Sequence, residues 1–499
     1  MGDRQPLDPE FVSRYTRVNL VADPIHGYVE ITKRQPGVSS SEPRTAEQDL
    51  LDHPWMQRAR RIHQLQSAWW VFPSAEHSRF QHSVGAMHLA GLWTRHLLPS
   101  LRLAAEAPSD AVVEETLRLG GLLHDVGHGP FGHFFDEQYL APLGITHETI
   151  SQRLIEGELA PLIRGLDAAP GGAFAAGESI DPAWVAYVIS KEELPGFVPP
   201  RWLELLKPVL CGSFAADNMD YVPRDAYICG VATGPVDVPR ILHYSFVSEF
   251  GLTLHAHGAE ALVQFLSARM YLYTNLYHHR TVRRIDLHMR EIFRDTMAEL
   301  LGGKSPLDDL TRYLGLNDWH LLNEVDRWLR EEPETSRRGG LAREWARITG
   351  RHELKWKLAY EAVFELHAGA GRDTGGAPPA DDAQGGGADA GAIRRRILAA
   401  LPAGRPEPVF EVDVASLEAR PNGVDGDRHS ILLYDPLDGS LRPNAAAALL
   451  RRLPVRTTLV RIFTLDPEAA GPLRRAAEVA LATSPSAAAN HSLQPFPKP

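Results

Sequence analysis

Between residues 121 and 137 the chain reads GLLHDVGHGPFGHFFDE, which sets His124, Asp125, His128, His133 and Asp136 directly after an apolar run. Imidazole nitrogens and carboxylate oxygens at this density ligate borderline metal ions and exchange protons near neutral pH. A packed core has no use for them. Upstream, HSRFQHSVGAMHLAG offers His82 at the head of a glycine-containing helix; downstream, AADNMDYVPRDA offers Asp217, Asp220 and Asp225. A set of two histidines and two aspartates suits Mn, Fe, Ni, Zn or, less comfortably, Mg, with positions left for water and substrate. Adjacent helical side chains diverge by about 100°. His124 and Asp125 therefore reach one ion only at a helix end or beside a second helix, and the spacing puts them in a last turn with Gly127 as terminator.

The elements that must position these groups are mostly helical. From about residue 50 to residue 365 the apolar residues recur at three- and four-residue intervals, as in VGAMHLAGLWTRHLL and ALVQFLSARMYLYTNLYHHR. RVNLVADPIHGYVEIT, near the N-terminus, has the pattern of a strand pair around a turn. Residues 367–392 lose every large apolar side chain and read as a flexible linker. Beyond it, PVFEVDVASL, SILLYDPLDGSL and TTLVRIFTLDP read as strands and NAAAALLRRL as a helix, making residues 393–483 a small α+β unit. Residues 484–499 read as a disordered tail.

Composition narrows the function classes. Two cysteines without a C-x-x-C spacing exclude a disulfide scaffold and a cysteine-ligated zinc module, so a metal here is held by nitrogen and oxygen. A net charge of −11 argues against broad adhesion to nucleic acid, which requires many phosphates to be neutralised. No apolar run of membrane-spanning length and no secretory signal is evident, so no membrane association is expected and the cytoplasm is the expected compartment.

Taken together, RFQH at 79–82, HD at 124–125 and Asp217 in DNMDYVPRD resemble the H…HD…D ligands of HD-domain metal-dependent phosphohydrolases. DPIHGYVEI, QLQSAWWVFPSAEHSRFQHSVG, LLHDVGHGPFGHFFD, THE and the Tyr-x-x-Arg-Asp of DNMDYVPRD are similar, in order and spacing, to the deoxynucleoside triphosphate triphosphohydrolase branch. The resemblance implies a mainly α fold with a short N-terminal β element: an HD phosphohydrolase core over 15–300 and a helical extension over 301–366. It implies a divalent metal held by His82, His124, Asp125 and Asp217, with His147 as general acid, Asp136 orienting it and His128 against the reacting phosphate. Gln64, Arg79, His133, Tyr221, Asp225 and Arg269 match residues around the substrate's phosphates, sugar and base. Asp52, Gln57 and Arg60 match the activator-nucleotide pocket of regulated members, whose activator sites lie between subunits, so a homo-oligomer, dimer or tetramer, is implied.

Two departures matter. A lysine or arginine commonly follows the metal aspartate in the family, whereas this chain has Asn218; and a lysine and an asparagine that help bind the activator are replaced by Asn19 and Ala22. The expected reaction is attack on the α-phosphorus of a dNTP, releasing deoxynucleoside and inorganic triphosphate. Two alternatives stay open: another nucleotide phosphoester as substrate (a monophosphate, dinucleotide or alarmone), and a non-catalytic nucleotide sensor. The basic stretch YHHRTVRRID, with Arg280, Arg283 and Arg284, reads as a solvated or intersubunit face or as a further phosphate site.

Overall fold

β-branched residues flanking Asp23-Pro-Ile-His-Gly form an antiparallel hairpin, β1 (Val18–Asp23) and β2 (Gly27–Thr32), in register from Val18↔Thr32 to Asp23↔Gly27. Asp23 closes the turn by accepting the Ile25 and His26 amides at 2.8 and 3.0 Å, and Gly27 supplies a φ of +78°. The computed structural model describes residues 16–34, 44–212, 214–350, 353–366, 389–402, 406–418, 432–443, 453–454 and 456–482. The chain divides into two units: Met1–Phe265 with Ile292–Arg343 and Ile431–Ala446, and Leu266–Glu291 with Glu344–Ser430 and Ala447–Pro499.

The first unit is built on α1 (Arg79–Ala104) and α2 (Asp110–Leu123), followed by α3 (His147–Glu156), α4 (Pro182–Ile189), α5 (Ala216–Cys229), strands β3 (Ser245–Ser248) and β4 (Gly251–His255), and α6 (Asp318–Glu331). Leu89, Trp93, Leu97, Leu117, Leu119 and Leu122 recur at helical spacing on α1 and α2 and are buried. Glycines let these helices touch. A Cβ on Gly121 would lie 2.7 Å from the Ala86 carbonyl oxygen, and one on Gly85 would lie 1.9 Å from Asp220 Oδ1. The strands β3 and β4 fall inside the stretch expected to be helical; the Leu-Thr-Leu-His alternation of GLTLH is the period-2 signal for them.

The second unit contains a three-stranded antiparallel sheet in the order Lys357–Leu366, Arg456–Thr464, Phe410–Glu418. Helices Ala390–Ala400 and Ala470–Leu481 pack on it through Ile393, Ile397, Val460, Ile462 and Leu473. Two expectations are corrected. The 301–366 extension is not helical throughout: residues 357–366 are a strand, because Ala362 is buried while Glu361, Val363 and Glu365 are exposed, an alternation only a strand satisfies. SILLYDPLDGSL belongs to the first unit, where its hairpin, Leu432–Asp435 and Ser440–Pro443, extends the sheet by parallel pairing of Leu432 with Thr253 on β4, whose other edge β3 already occupies. Most of the expected linker, 367–388, lies outside the described residues, and its last residues instead open the helix capped by Asp389. The helix expected at 444–452 and the tail at 484–499 also lie outside them. Among the described residues no helix is long and apolar enough to cross a membrane.

A buried ionic network ties the hairpin to α2. Glu47 accepts the Thr32 amide at 2.7 Å and Arg118 Nε at 2.6 Å, while Arg118 Nη2 donates to the Glu30 carbonyl at 2.7 Å. Glu115 Oε2 stands 3.8 Å from Arg118 Nε, and neither Glu115 oxygen makes a hydrogen bond of normal geometry. Burial, reinforced by the Glu47 charge, holds the Glu115 carboxyl well above its usual range. A carboxyl raised in the folded state stabilises the fold fully below its unfolded pKa, and that contribution falls as pH rises towards the folded value, by about 1.4 kcal/mol per pH unit. Glu115→Gln keeps the shape without the titration. Chemical denaturation from pH 4 to 8 should therefore show the variant gaining stability over the wild type as pH rises; parallel pH profiles would contradict this account.

Candidate metal and acid–base site

The site gathers where α2 ends. His124 follows the last helical residue, and its Nδ1 lies 2.9 Å from the Gly121 carbonyl, so Nδ1 carries the proton and Nε2 is left as a ligand. His82, in the first turn of α1, brings its Nε2 to 3.2 Å from His124 Nε2 and 3.1 Å from Asp217 Oδ1, which α5 supplies from its own first turn. Asp125 Oδ1 is 3.4 Å from His124 Nε2 and its Oδ2 is 4.0 Å from His82 Nε2; His124 Nε2 and Asp217 Oδ1 are 3.8 Å apart. Donors around one ion with bonds of about 2.0–2.2 Å stand roughly 2.9–3.6 Å from one another. His82, His124 and Asp217 form a group that could hold a divalent cation, and Asp125 lies beside it with Oδ1 3.4 Å from His124 Nε2.

Support for these ligands comes from a residue that spacing did not select. Asp220 is fully buried one turn after Asp217; its Oδ2 accepts His82 Nδ1 at 2.8 Å and Arg224 Nε at 2.9 Å, and its Oδ1 meets His26 Nε2 at 2.6 Å and Arg224 Nη2 at 2.8 Å. Arg224 reaches on to Asp23 at 2.9 Å rather than pairing with Asp225, which instead accepts His77 Nε2 at 2.7 Å. Although burial opposes it, the Asp217 and Asp220 carboxylates push His82 up to about 10, the response of an imidazole in a pocket built for positive charge.

Beside this cluster lies a second. The Nδ1 atoms of His147, His128 and His133 stand 2.6, 3.3 and 3.3 Å from one oxygen, Asp136 Oδ2. The His128 and His147 rings stack with centroids 3.7 Å apart, and His133 meets His128 edge-on at 4.6 Å. Despite burial, the surrounding imidazoles, His128 first, hold the Asp136 carboxyl far below the usual range. Burial and the neighbouring Arg79 push His128 down; burial and His128 push His147 down. Arg79 sits between the clusters, buried, donating to Asp125 Oδ2 at 2.5 Å. His128 Nε2 is 3.3 Å from Asp125 Oδ1, which joins them.

The loop carrying both clusters has positive φ at Phe131 (62°) and Gly132 (52°) and is held from outside. Asp318, at the start of α6, accepts the Phe131 amide and both His63 N and Nδ1, each at 2.8 Å. Arg58 donates to the His128 carbonyl at 2.6 Å and Tyr313 to that of Gly127 at 2.7 Å. His26, Arg58, His63, His77, Tyr313 and Asp318 were not singled out, because each acts through a partner far away in sequence.

The remaining expected residues are less uniform. Gln64 donates its backbone N–H to the His77 carbonyl at 3.0 Å and has a buried side-chain oxygen without a hydrogen bond. Tyr221 lies edge-on to His82 with centroids 6.3 Å apart. Arg269 belongs to the second unit, over the Tyr273 ring at 5.3 Å. Gln57 Oε1 accepts Arg60 Nε at 3.0 Å, and Asp52 accepts Gln48 Nε2 at 3.0 Å. In the basic stretch, Arg283 pairs its charge with Asp413 at 2.7 Å, and Arg284 donates to the Leu354 carbonyl at 2.8 Å.

Residues 79–169 match the HD domain family, a span that includes His82, the loop clusters and His147 but not Asp217. Over longer stretches it is similar to deoxynucleoside triphosphate triphosphohydrolases and to uncharacterized proteins. A SAMHD1 homolog of Dictyostelium discoideum bearing that activity in its name is 26% identical over 341 residues, 66% of this chain and 59% of the relative. The deoxynucleoside triphosphate triphosphohydrolase SAMHD1 of Gallus gallus is 28% identical over 323 residues, 59% and 50%. An uncharacterized protein of Methanocaldococcus jannaschii is 30% identical over 290 residues, 56% and 54%. The chain thus spans little more than half the length of these relatives. A crystal structure of a hypothetical protein from Aquifex aeolicus shares the fold at a TM-score of 0.63, with 23% identity and coverage of 92% of this chain and 99% of that one.

Metal binding tests the first cluster. Asp217→Ala, at a half-exposed position, should abolish tight Mn2+ binding, whereas Asp220→Asn, which weakens the hold on His82, His26 and Arg224 without removing a donor to the ion, should weaken it about 10- to 100-fold. Isothermal titration of metal-free protein distinguishes the two; equal affinities for both variants and the wild type would reject the assignment.

Proposed function

We propose that this chain is a metal-dependent phosphohydrolase that cleaves deoxynucleoside triphosphates to deoxynucleoside and inorganic triphosphate. The observation that carries the reading is the adjacency of a two-histidine, two-aspartate cluster and an Asp136–His147 pair, joined through Asp125 and His128 with Arg79 between them. When bound, a divalent ion supplies Lewis acidity at a phosphoryl oxygen and acidifies water. Arg79, always charged and buried, meets the anionic phosphate with donors fixed in advance. Asp136 takes His147 Nδ1, which leaves Nε2 to hold the proton for the departing 5′-oxygen. Burial and His128 depress the His147 pKa in the free protein, and a polyanionic substrate alongside restores its proton. His128 stacks on that imidazole and keeps it in plane.

Several features support the finer assignment. The named activity of the relatives, the buried unpaired oxygen of Gln64 and the Tyr221 ring against His82 favour a deoxynucleotide held beside the metal cluster. Asn218 favours a second reading, another nucleotide phosphoester, because its amide donates to the Gly212 carbonyl at 3.3 Å and brings no positive charge to the phosphates. Asp52, Gln57 and Arg60 are the residues through which an activating nucleotide would act, in a homo-oligomer.

A panel of dNTPs, monophosphates, dinucleotides and alarmones, run with Mn2+ and with or without GTP, decides between the readings by product identification. Inorganic triphosphate and deoxynucleoside in equal amounts are expected, with kcat lowered about 10²- to 10⁴-fold in His147→Ala. Absence of deoxynucleoside from every dNTP would overturn the proposal, and hydrolysis of the other phosphoesters alone would establish the second reading.

A further inference from the structure

The acid–base cluster is itself arranged as a metal site. Four donors, from His128, His133, Asp136 and His147, all lie within 4.8 Å of one another. In a tetrahedron with bonds of about 2.0–2.1 Å, neighbouring donors are roughly 3.3–3.4 Å apart. Asp136 Oδ2 is 3.3 Å from both His128 Nδ1 and His133 Nδ1; His147 Nδ1, at 2.6 Å, would have to move back and its ring turn out of the stack on His128 for the lone pairs to converge. Hydrogen bonding does not saturate this arrangement. Three imidazoles crowd onto one carboxylate oxygen, while Asp136 Oδ1 and both nitrogens of the fully buried His128 make no hydrogen bond of normal geometry. A buried imidazole with both nitrogens unsatisfied is a standing penalty that a cation would relieve.

We propose that His128, His133, Asp136 and His147 form a second site for a borderline divalent transition ion such as Zn2+, and that its occupation switches off proton delivery. The donor set selects the ion: three nitrogens and one oxygen suit Zn2+ or Co2+, whereas Mg2+ prefers oxygen and keeps its water. The site adjoins the first through Asp125, whose Oδ1 lies 3.4 Å from His124 Nε2 and 3.3 Å from His128 Nε2 while its Oδ2 accepts Arg79. His133 gives an ion its way in, since its side chain is 55% exposed while His128 is fully buried. An ion here takes Asp136 and the nitrogen that Asp136 orients on His147, so the imidazole can no longer be held as the proton donor. The first cluster would then sustain activity with Mn2+ or Mg2+, and excess Zn2+ would inhibit by filling the second.

Equilibrium dialysis of metal-free protein against Co2+, with visible spectroscopy, tests this directly. Wild type should take up about two equivalents, Asp217→Ala about one with the strong visible bands of a tetrahedral nitrogen-rich site, and His133→Ala/His147→Ala about one without them. Circular dichroism verifies that each variant is folded, and Asp217→Ala, which leaves all four donors untouched, provides the reading should the double variant not fold. One equivalent in the wild type, or none in folded Asp217→Ala, would overturn the proposal. Stoichiometry and spectrum are read without substrate, so this outcome is independent of whether dNTPs are cleaved.

Discussion

Asp220 is the constraint on which the site depends. A carboxylate removed from water is stable only when its lone pairs are taken by well-placed donors. Asp220 meets that condition with one imidazole from the β1–β2 turn, one from α1 and a bidentate guanidinium from its own helix. Satisfying one buried charge thereby brings three elements together and fixes the face that His82 turns towards His124 and Asp217. Gly85 is part of the same requirement, because any side chain there would collide with the Asp220 carboxylate.

A second constraint shapes the loop after α2. The backbone passes through positive φ at Phe131 and Gly132, and a Cβ on Gly132 would lie 2.2 Å from Arg79 Nη2. Such a path persists when the surroundings over-determine it. Asp318, Arg58 and Tyr313 do so by bonding the backbone on both sides of His128. The result is two histidine and carboxylate clusters a few ångströms apart. In one, the Asp217 and Asp220 carboxylates raise the His82 pKa against burial; in the other, burial lowers those of His128 and His147. Asp125, bonded to Arg79 and within reach of His128, is the link between them.

Much of this was legible in the chain. The family resemblance carried by His82, HD at 124–125 and Asp217 implied four ligands, and the structure brings those four side chains together. The turn signals of DPIHG were enough for the hairpin. Less legible were the strands at 245–255 and 357–366, short apolar runs whose period is hard to separate from that of a helix. The attachment of residues 432–443 to β4 was not legible at all, because strand partners are chosen by free edges rather than by local composition.

The sequence by itself determined the chemical inventory: which nitrogens and oxygens are available, at which helix ends, and that no thiolate takes part. Only the tertiary structure decided the partners of Asp217 and Asp220, which spacing alone leaves near-equivalent. The difference between them is burial and partners: Asp217 is half open beside His82 and His124, while Asp220 is sealed against Arg224 and His26. It also decided that His128, His133 and His147 share a single carboxylate, a convergence produced by backbone path and packing, which no spacing along the chain encodes.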